Sequence, residues 1–241
     1  MKTVFITGGT RGIGKALVEG YAKAGYKVLF CYKNSVEKAI EIENNLTNLG
    51  YNVKGFKLNI ADYLEVEKFF DRLFSTEKID ILVNNAGICL PQKMLIDTTI
   101  DEWNSIFATN VTGVFAVTKM VAKNMMFSGG NIINISSMWG NVGGSCEACY
   151  SSSKGAINSL TLALAKELSS ANIKVNAISL GVMDTDMNSH LTPSDIIELQ
   201  QNTPLARIGK PEDVVDMALL LSKDDVFITG QIITIDGGFT L

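Results

Sequence analysis

Thr3-Val4-Phe5-Ile6-Thr7-Gly8-Gly9-Thr10-Arg11-Gly12-Ile13-Gly14 stands at the start of the chain. Five apolar or β-branched residues read as a buried strand, and from Gly14 to Ala24 apolar residues recur three and four apart, as in a helix. Between them lie glycines 8, 12 and 14. A glycine turn from a strand into a helix lets the backbone approach a pyrophosphate held at the helix N-terminus. The spacing here, G-x3-G-x-G, differs from the usual G-x-G-x-x-G, and by itself it also fits a tight strand-to-helix turn.

The same alternation continues along the chain. Strand-like runs fall at Lys27 to Tyr32, Asn52 to Lys57, Ile79 to Asn84, Asn131 to Ser136, Ile173 to Ser179 and Gln231 to Ile235. Helical periods fill Val36 to Leu49, Leu64 to Phe74, Asp101 to Met126 and Lys154 to Leu168. Alternating strands and helices imply parallel strands joined by right-handed crossovers, a doubly wound α/β fold with helices on both faces of the sheet. The strands are continuous apolar runs, as expected for strands covered on both sides. No linker or repeat interrupts residues 1–241, which predicts one domain. Val182 to Gly209 follows a strand and reaches no further strand for about fifty residues, which marks a candidate lid.

Composition narrows the function classes. With 21 basic and 25 acidic residues the net charge is −4, and no basic run suits nucleic acid or a membrane surface. No uninterrupted apolar stretch reaches the roughly 18 residues of a membrane span, and the glycine loop begins too early for a signal peptide, so a cytoplasmic protein is expected. Cys146 and Cys149 form a C-x-x-C. One histidine, His190, and no second cysteine pair make a metal site an unfavoured reading.

The unusual residues all follow strands: the glycine loop, Asn84-Asn85-Ala86-Gly87, Ser136-Ser137 and Leu180-Gly181. In an open parallel sheet these carboxyl ends share one edge, where ligands bind. Tyr150 and Lys154 lie one turn apart on one helix face. A neighbouring ammonium favours phenolate, which would make the tyrosine a usable proton donor and acceptor. Ser137 stands thirteen residues before Tyr150, at a strand end where its hydroxyl could bond a substrate oxygen.

With these residues in order, the chain resembles the short-chain dehydrogenase/reductase family from the first strand to the end. The resemblance rests on Thr7-Gly8-x3-Gly12-Ile13-Gly14, Asn84-Asn85-Ala86-Gly87, Asn110, Ser137, Tyr150-x3-Lys154 and Thr229-Gly230-Gln231 with Asp236-Gly237-Gly238. It implies a seven-stranded Rossmann sheet and hydride transfer between a nicotinamide and a carbonyl. Tyr150 would be the general acid and Ser137 would orient the carbonyl. Lys154 would lower the tyrosine pKa and hold the ribose, and Asn110 would position a water. The cofactor groove would be formed by Gly8, Thr10, Arg11, Gly12, Ile13, Gly14, Tyr32, Lys33, Asn59, Ile60, Asn85, Ala86, Gly87, Gly181, Val182 and Thr185, together with Tyr150 and Lys154. The resemblance also implies a homotetramer or homodimer built through the helices at Asp101 to Met126 and Lys154 to Leu168. Two positions depart from the pattern: Asn59 stands where an aspartate often contacts adenine, and Leu180-Gly181 replaces Pro-Gly.

Phe30-Cys31-Tyr32-Lys33-Asn34-Ser35, at the end of the second strand, holds no acid to bond a ribose 2′-hydroxyl. Arg11 and Lys33 could instead meet a 2′-phosphate, so NADPH/NADP+ is the expected cofactor. In its broad motifs the chain is similar to 3-oxoacyl-acyl-carrier-protein reductases, yet the arginines that would dock an acidic carrier protein are missing. A narrower likeness, at Ser136-Ser137-Met138-Trp139-Gly140 and Ser145-Cys146-Glu147, is to reductases of the 5-aminopentanone group on a lysine of elongation factor P. Met138, Trp139 and Glu147 are therefore candidate substrate residues. Glu147 could pair with a substrate ammonium or simply favour the start of a helix, and Trp139 could line the pocket or only pack. A nucleotide-binding sensor without chemistry is the alternative of another class.

Overall fold

Parallel strands cannot be joined by tight turns, so each pair here is bridged by a helical crossover. The computed structural model describes residues 1–241. Its strands are β1 (Thr3–Thr7), β2 (Lys27–Tyr32), β3 (Val53–Lys57), β4 (Ile81–Asn84), β5 (Gly130–Ser137), β6 (Ile173–Leu180) and β7 (Ile232–Ile235). They form one parallel sheet in the order β3-β2-β1-β4-β5-β6-β7. The chain winds outward from β1 to one edge, then returns to β4 and winds to the other. A crevice therefore opens at the carboxyl ends of β1 and β4.

The helices are α1 (Gly12–Lys23), α2 (Val36–Asn48), α3 (Tyr63–Leu73), α4 (Ile100–Phe107), α5 (Val114–Met125), α6 (Trp139–Val142), α7 (Ala148–Glu167), α8 (Pro193–Gln201) and α9 (Val215–Leu221). Side chains alternate across each strand, and this sorts the interior into two layers. Val4, Ile6, Val28, Phe30, Ile81, Val83, Ile133 and Ile135 face α1, α2 and α9. Phe5, Leu29, Cys31, Leu82 and Ile132 face α3, α5 and α7. Each layer holds 22 buried residues, so both faces are covered, as the apolar strands required.

Three details differ from the sequence expectation. The helix expected over Asp101 to Met126 is divided: α4 and α5 are joined by a π-helical turn, Ala108–Gly113, with Asn110 buried inside it. Such turns insert an extra residue and so shift the helix phase by about 100°, and they are frequent at functional sites. Helix α7 begins at Ala148, before Lys154, so Tyr150 sits in its first turn. The lid region contains α8, whose start carries a Thr192/Asp195 capping box with Pro193 in the first turn. A bridge between Met183 and Gly209 closes the base of this insertion.

The helical stretch Ile100–Met125 is long and apolar enough to cross a membrane by length and composition. Its Ala116, Val117, Met120, Val121 and Met125 are packed in the second core layer instead.

Candidate active site

The glycine loop is fastened on one side by the backbone of β2 and on the other by the Asn85 amide and the Thr7 hydroxyl. Gly8 and Gly9 N–H both donate to the Cys31 carbonyl at the end of β2, at 2.9 and 3.1 Å. Asn85 Nδ2 donates to the Thr7 and Gly8 carbonyls, while Asn85 and Ala86 N–H both donate to Thr7 Oγ1 at 3.0 Å. A Cβ on Gly14 would lie 2.0 Å from the Gly8 carbonyl oxygen, so no side chain fits there. No side chain caps α1, and the N–H groups of Gly12, Ile13 and Gly14 have no partner in the chain. Unpaired donors at a helix start beside a side-chain-free loop suit a phosphate.

A cleft of about 590 Å³ runs from this loop across the strand ends. Arg11, Tyr32 and Lys33 line its far end, Asn59 and Ile60 one wall, and Gly87, Gly181, Val182 and Thr185 its middle. Thr185 crosses from the lid onto the loop; a Cβ on Gly12 would sit 3.2 Å from its methyl group. The residues expected around a dinucleotide thus share one groove, and the donors and open cradle fit its phosphates.

At the near end Ser137, Tyr150 and Lys154 converge. Ser137 Oγ accepts the Trp139 N–H at 3.2 Å, which leaves its own hydrogen free to donate. Lys154 Nζ lies 5.6 Å from the Tyr150 ring centre and donates to the Ile135 carbonyl at 2.8 Å. Burial holds the Lys154 pKa down, to about 8. Burial also pushes the Tyr150 phenol above its ordinary value, with Cys89 and Glu147 adding to the rise and Ser137 opposing it. The expected lowering of the phenol by its lysine is not found: burial sets the direction of both shifts, because desolvation penalises phenolate and ammonium alike. What remains is a protonated phenol beside a serine hydroxyl, a pair able to bond and protonate one oxygen.

Asn110 stands behind this surface. Its Oδ1 accepts the Ile88 N–H at 2.8 Å, and its Nδ2 donates to the Ile88 carbonyl and to Ser153 Oγ. It braces the loop after β4, on the side of Gly87 where Lys154 also lies: a Cβ on Gly87 would sit 3.4 Å from Asn110 Oδ1 and 3.6 Å from Lys154 Nζ. Asn85 lines the cleft, yet its amide is engaged by the glycine loop.

The substrate candidates separate. Met138 is buried at the cleft wall. Trp139 lines the cleft and packs edge-to-face on Phe239, 6.2 Å away. Glu147 occupies the N-cap position of α7 but makes no side-chain cap. It turns into the cleft, accepting from Gln92 Nε2 at 3.2 Å; burial raises its pKa, opposed by Gln92 and by His190 on the lid. Cys89, Gln92 and Leu199 join the wall as residues that the sequence did not mark for this site, and so does His190, which was weighed only as a metal ligand. The first two lie two and five residues after Gly87, on the loop that leaves β4, and that was the available signal.

A family model described as enoyl-(acyl carrier protein) reductase matches residues 8–240. The chain is 34% identical to the 3-oxoacyl-[acyl-carrier-protein] reductase FabG of Aquifex aeolicus over 241 residues, covering 98% of this chain and 96% of the relative. Among solved structures it resembles a gluconate 5-dehydrogenase from Burkholderia cenocepacia in complex with NADP and tartrate. The TM-score is 0.94 at 30% identity, covering 99% of this chain and 95% of that one. It also resembles a short-chain dehydrogenase/reductase from Serratia marcescens, with TM-score 0.92 and 32% identity over 100% of this chain and 98% of that one. The motifs, the sheet and these likenesses agree: the chain belongs to the short-chain dehydrogenase/reductase family of oxidoreductases.

Proposed function

We propose that the protein is an NADPH-dependent reductase that converts a ketone to a secondary alcohol, acting on 3-oxoacyl groups like its FabG relatives. The observation that carries this reading is the convergence of Ser137, Tyr150 and Lys154 at one end of the groove that begins at the glycine loop. The bound nicotinamide supplies the hydride. Ser137 donates its free hydrogen to the ketone oxygen, and Tyr150 gives that oxygen its proton as charge develops there. Lys154 keeps a positive charge beside the phenol, and Asn110 holds the loop after β4 against α7. Arg11 and Lys33 receive a 2′-phosphate; the lack of an acid at the end of β2 and the NADP bound in the Burkholderia neighbour support this choice. Exposed Phe115 on α5 and Leu162 on α7 favour assembly through those helices as a dimer or tetramer.

The test is a panel of acyl-thioester, enoyl-thioester, small aminoketone and modified elongation factor, each with NADPH and with NADH. Substrate-dependent oxidation of NADPH over NADH is expected. Silence across the panel would leave the nucleotide-binding sensor.

One observation favours a second reading, the 5-aminopentanone group on a lysine of elongation factor P. Glu147 faces the substrate end with only a neutral amide bonded to it, so its carboxylate is available to an ammonium. Glu147→Gln should raise KM for an aminoketone at least about tenfold and leave an acetoacetyl thioester within about twofold. Equal losses on both would sink this reading.

A further inference from the structure

Behind Ser137 and Tyr150 lies a set of amides, buried at Asn134 and Asn158 and reaching solvent at Asn141, that the reaction does not itself touch. Asn134 and Ser136, two residues apart on β5, point toward α7. Ser136 Oγ donates to Asn158 Oδ1 at 2.6 Å, and Asn134 Nδ2 donates to Thr161 Oγ1 at 2.9 Å. One such rung would leave the helix free to pivot on the strand; two fix both its slide and its rotation. From Asn158 the connection continues outward. Its Nδ2 donates to Asn141 Oδ1 at 2.8 Å, and Asn141 Nδ2 donates to Ser179 Oγ on β6 at 2.9 Å. Helix α6 is thereby tied to α7 and to β6.

The placement of these residues gives the network its meaning. Ser136 precedes Ser137, and Asn158 follows Lys154 by one turn and Tyr150 by two, on the same helix face. Helix α6, which carries Asn141, begins two residues after Ser137 and presses on α7 at Lys154: a Cβ on Gly140 would sit 2.8 Å from the Lys154 carbonyl carbon. Neither Asn141 nor Asn158 lines the cleft. Apolar side chains could cover the same crossing, but directional amide hydrogen bonds specify one geometry where apolar packing tolerates several.

We propose that Asn158 and Asn141 are positioning residues, setting the helix that bears Tyr150 and Lys154 against the strand end that bears Ser137. The proposal rests on the reading of those three as the reacting set. A misplacement of about 1 Å at such a site can cost on the order of a hundredfold in rate.

The test compares Asn158→Leu, Asn141→Leu and Asn141→Asp with the unaltered protein. Asn141 is exposed, so a carboxylate there stays hydrated while accepting from Asn158 Nδ2 and from a turned Ser179 hydroxyl. Two readouts are taken alongside Tm. The first is kcat and KM for NADPH with the ketone that the panel identifies. The second needs no substrate: the protonation midpoint of Lys154, followed by competitive acetylation and mass spectrometry between pH 6 and 10. Both leucine variants are expected to lower kcat at least about tenfold with KM for NADPH within about twofold. They should also move the Lys154 midpoint up from about 8 as water reaches a loosened crossing. Asn141→Asp should keep both near the unaltered values. Leucine variants that leave the midpoint at about 8, or an Asn141→Asp that falls as far as Asn141→Leu in step with Tm, would overturn the proposal. If no ketone is turned over, the reaction reading fails separately, and the Lys154 midpoint still decides the positioning claim.

Discussion

The two ends of the cleft are built on opposite plans. The glycine-loop end is made of backbone: side chains are absent at Gly8, Gly12 and Gly14, three N–H groups are unpaired, and the loop is stitched to Cys31 and Asn85. The tyrosine end is made of buried polar side chains, with Lys154 held to about 8 and a hydrogen-bonded amide network behind them. A phosphate is already charged and needs donors at fixed positions, which backbone supplies cheaply. Proton transfer needs a group whose pKa has been moved, and only burial or neighbouring charges move it.

The widest separation between the two ends should come from Tyr150→Phe and Gly14→Ala. Tyr150→Phe removes one oxygen from the cleft wall, so kcat should fall about 10²–10⁴-fold with NADPH affinity and Tm nearly unchanged. Gly14→Ala forces a Cβ to within 2.0 Å of the Gly8 carbonyl, where only backbone can yield. Its loss should appear in the fold, as about 3 kcal/mol or more of stability and collapse of NADPH binding. Calorimetry with fluorescence titration of NADPH checks both. A Tyr150→Phe that also lost NADPH binding would erase the distinction.

Lys154 sharpens the contrast, because a buried ammonium serves the reaction at the expense of the fold. Its folded pKa, about 8, lies below the ordinary 10.5. Between these values the unfolded chain holds a proton that the folded chain has released, so stability should rise with pH across that window. Below about pH 8 the full penalty is present. Lys154→Met should therefore stabilise the protein at pH 7 by about 2–3 kcal/mol, after loss of the bond to Ile135, and flatten that pH dependence while abolishing reduction. Ketone reduction by the unaltered enzyme should decline above about pH 8 as the ammonium is lost. Denaturant melts at pH 7 and pH 10 check the first expectation, and a pH–kcat profile the second.

The same difference explains what could be read from residue order. A glycine loop, Tyr150-x3-Lys154 and the seven apolar strands are local patterns, and each survives in the structure at nearly the expected bounds. The π-helical turn around Asn110 left no legible mark, because a one-residue phase shift within a stretch this short does not stand out from an ordinary helical pattern. Asn141 and Asn158 carry no local pattern; their partners, Ser179 and Ser136, lie 38 and 22 residues away. Glu147 was legible as a candidate, but its direction depended on Gln92, 55 residues earlier, and on α7 starting at Ala148. Spacing reports what one element does, while the burial that shifts a pKa is assembled by several.

A smaller effect separates the cations at the loop end. Arg11 and Lys33 line the cleft where β2 ends without an acid. Replacing both by alanine should raise KM for NADPH about 10–100-fold and leave KM for NADH within about threefold, since one interaction with a doubly charged group is removed on each side. Initial rates with the two nucleotides decide this. Equal rises would mean that the pair holds the part of the nucleotide common to both.

The smallest effect is expected where the two ends meet. Lys38 on α2 reaches Asp186, the lid residue after Thr185, at 3.9 Å, and both side chains are more than half exposed. An exposed pair of this length is worth little against solvent and salt. The packing of Thr185 on Gly12 makes a shorter connection between lid and loop, one that salt does not weaken. Asp186→Asn should accordingly change KM for NADPH less than about threefold, with that change vanishing at high salt. Thr185→Gly, which removes the packed methyl group, should change KM more at every ionic strength. Reversal of that order, measured as KM against salt for the two variants, would make the lid an electrostatic rather than a packed closure.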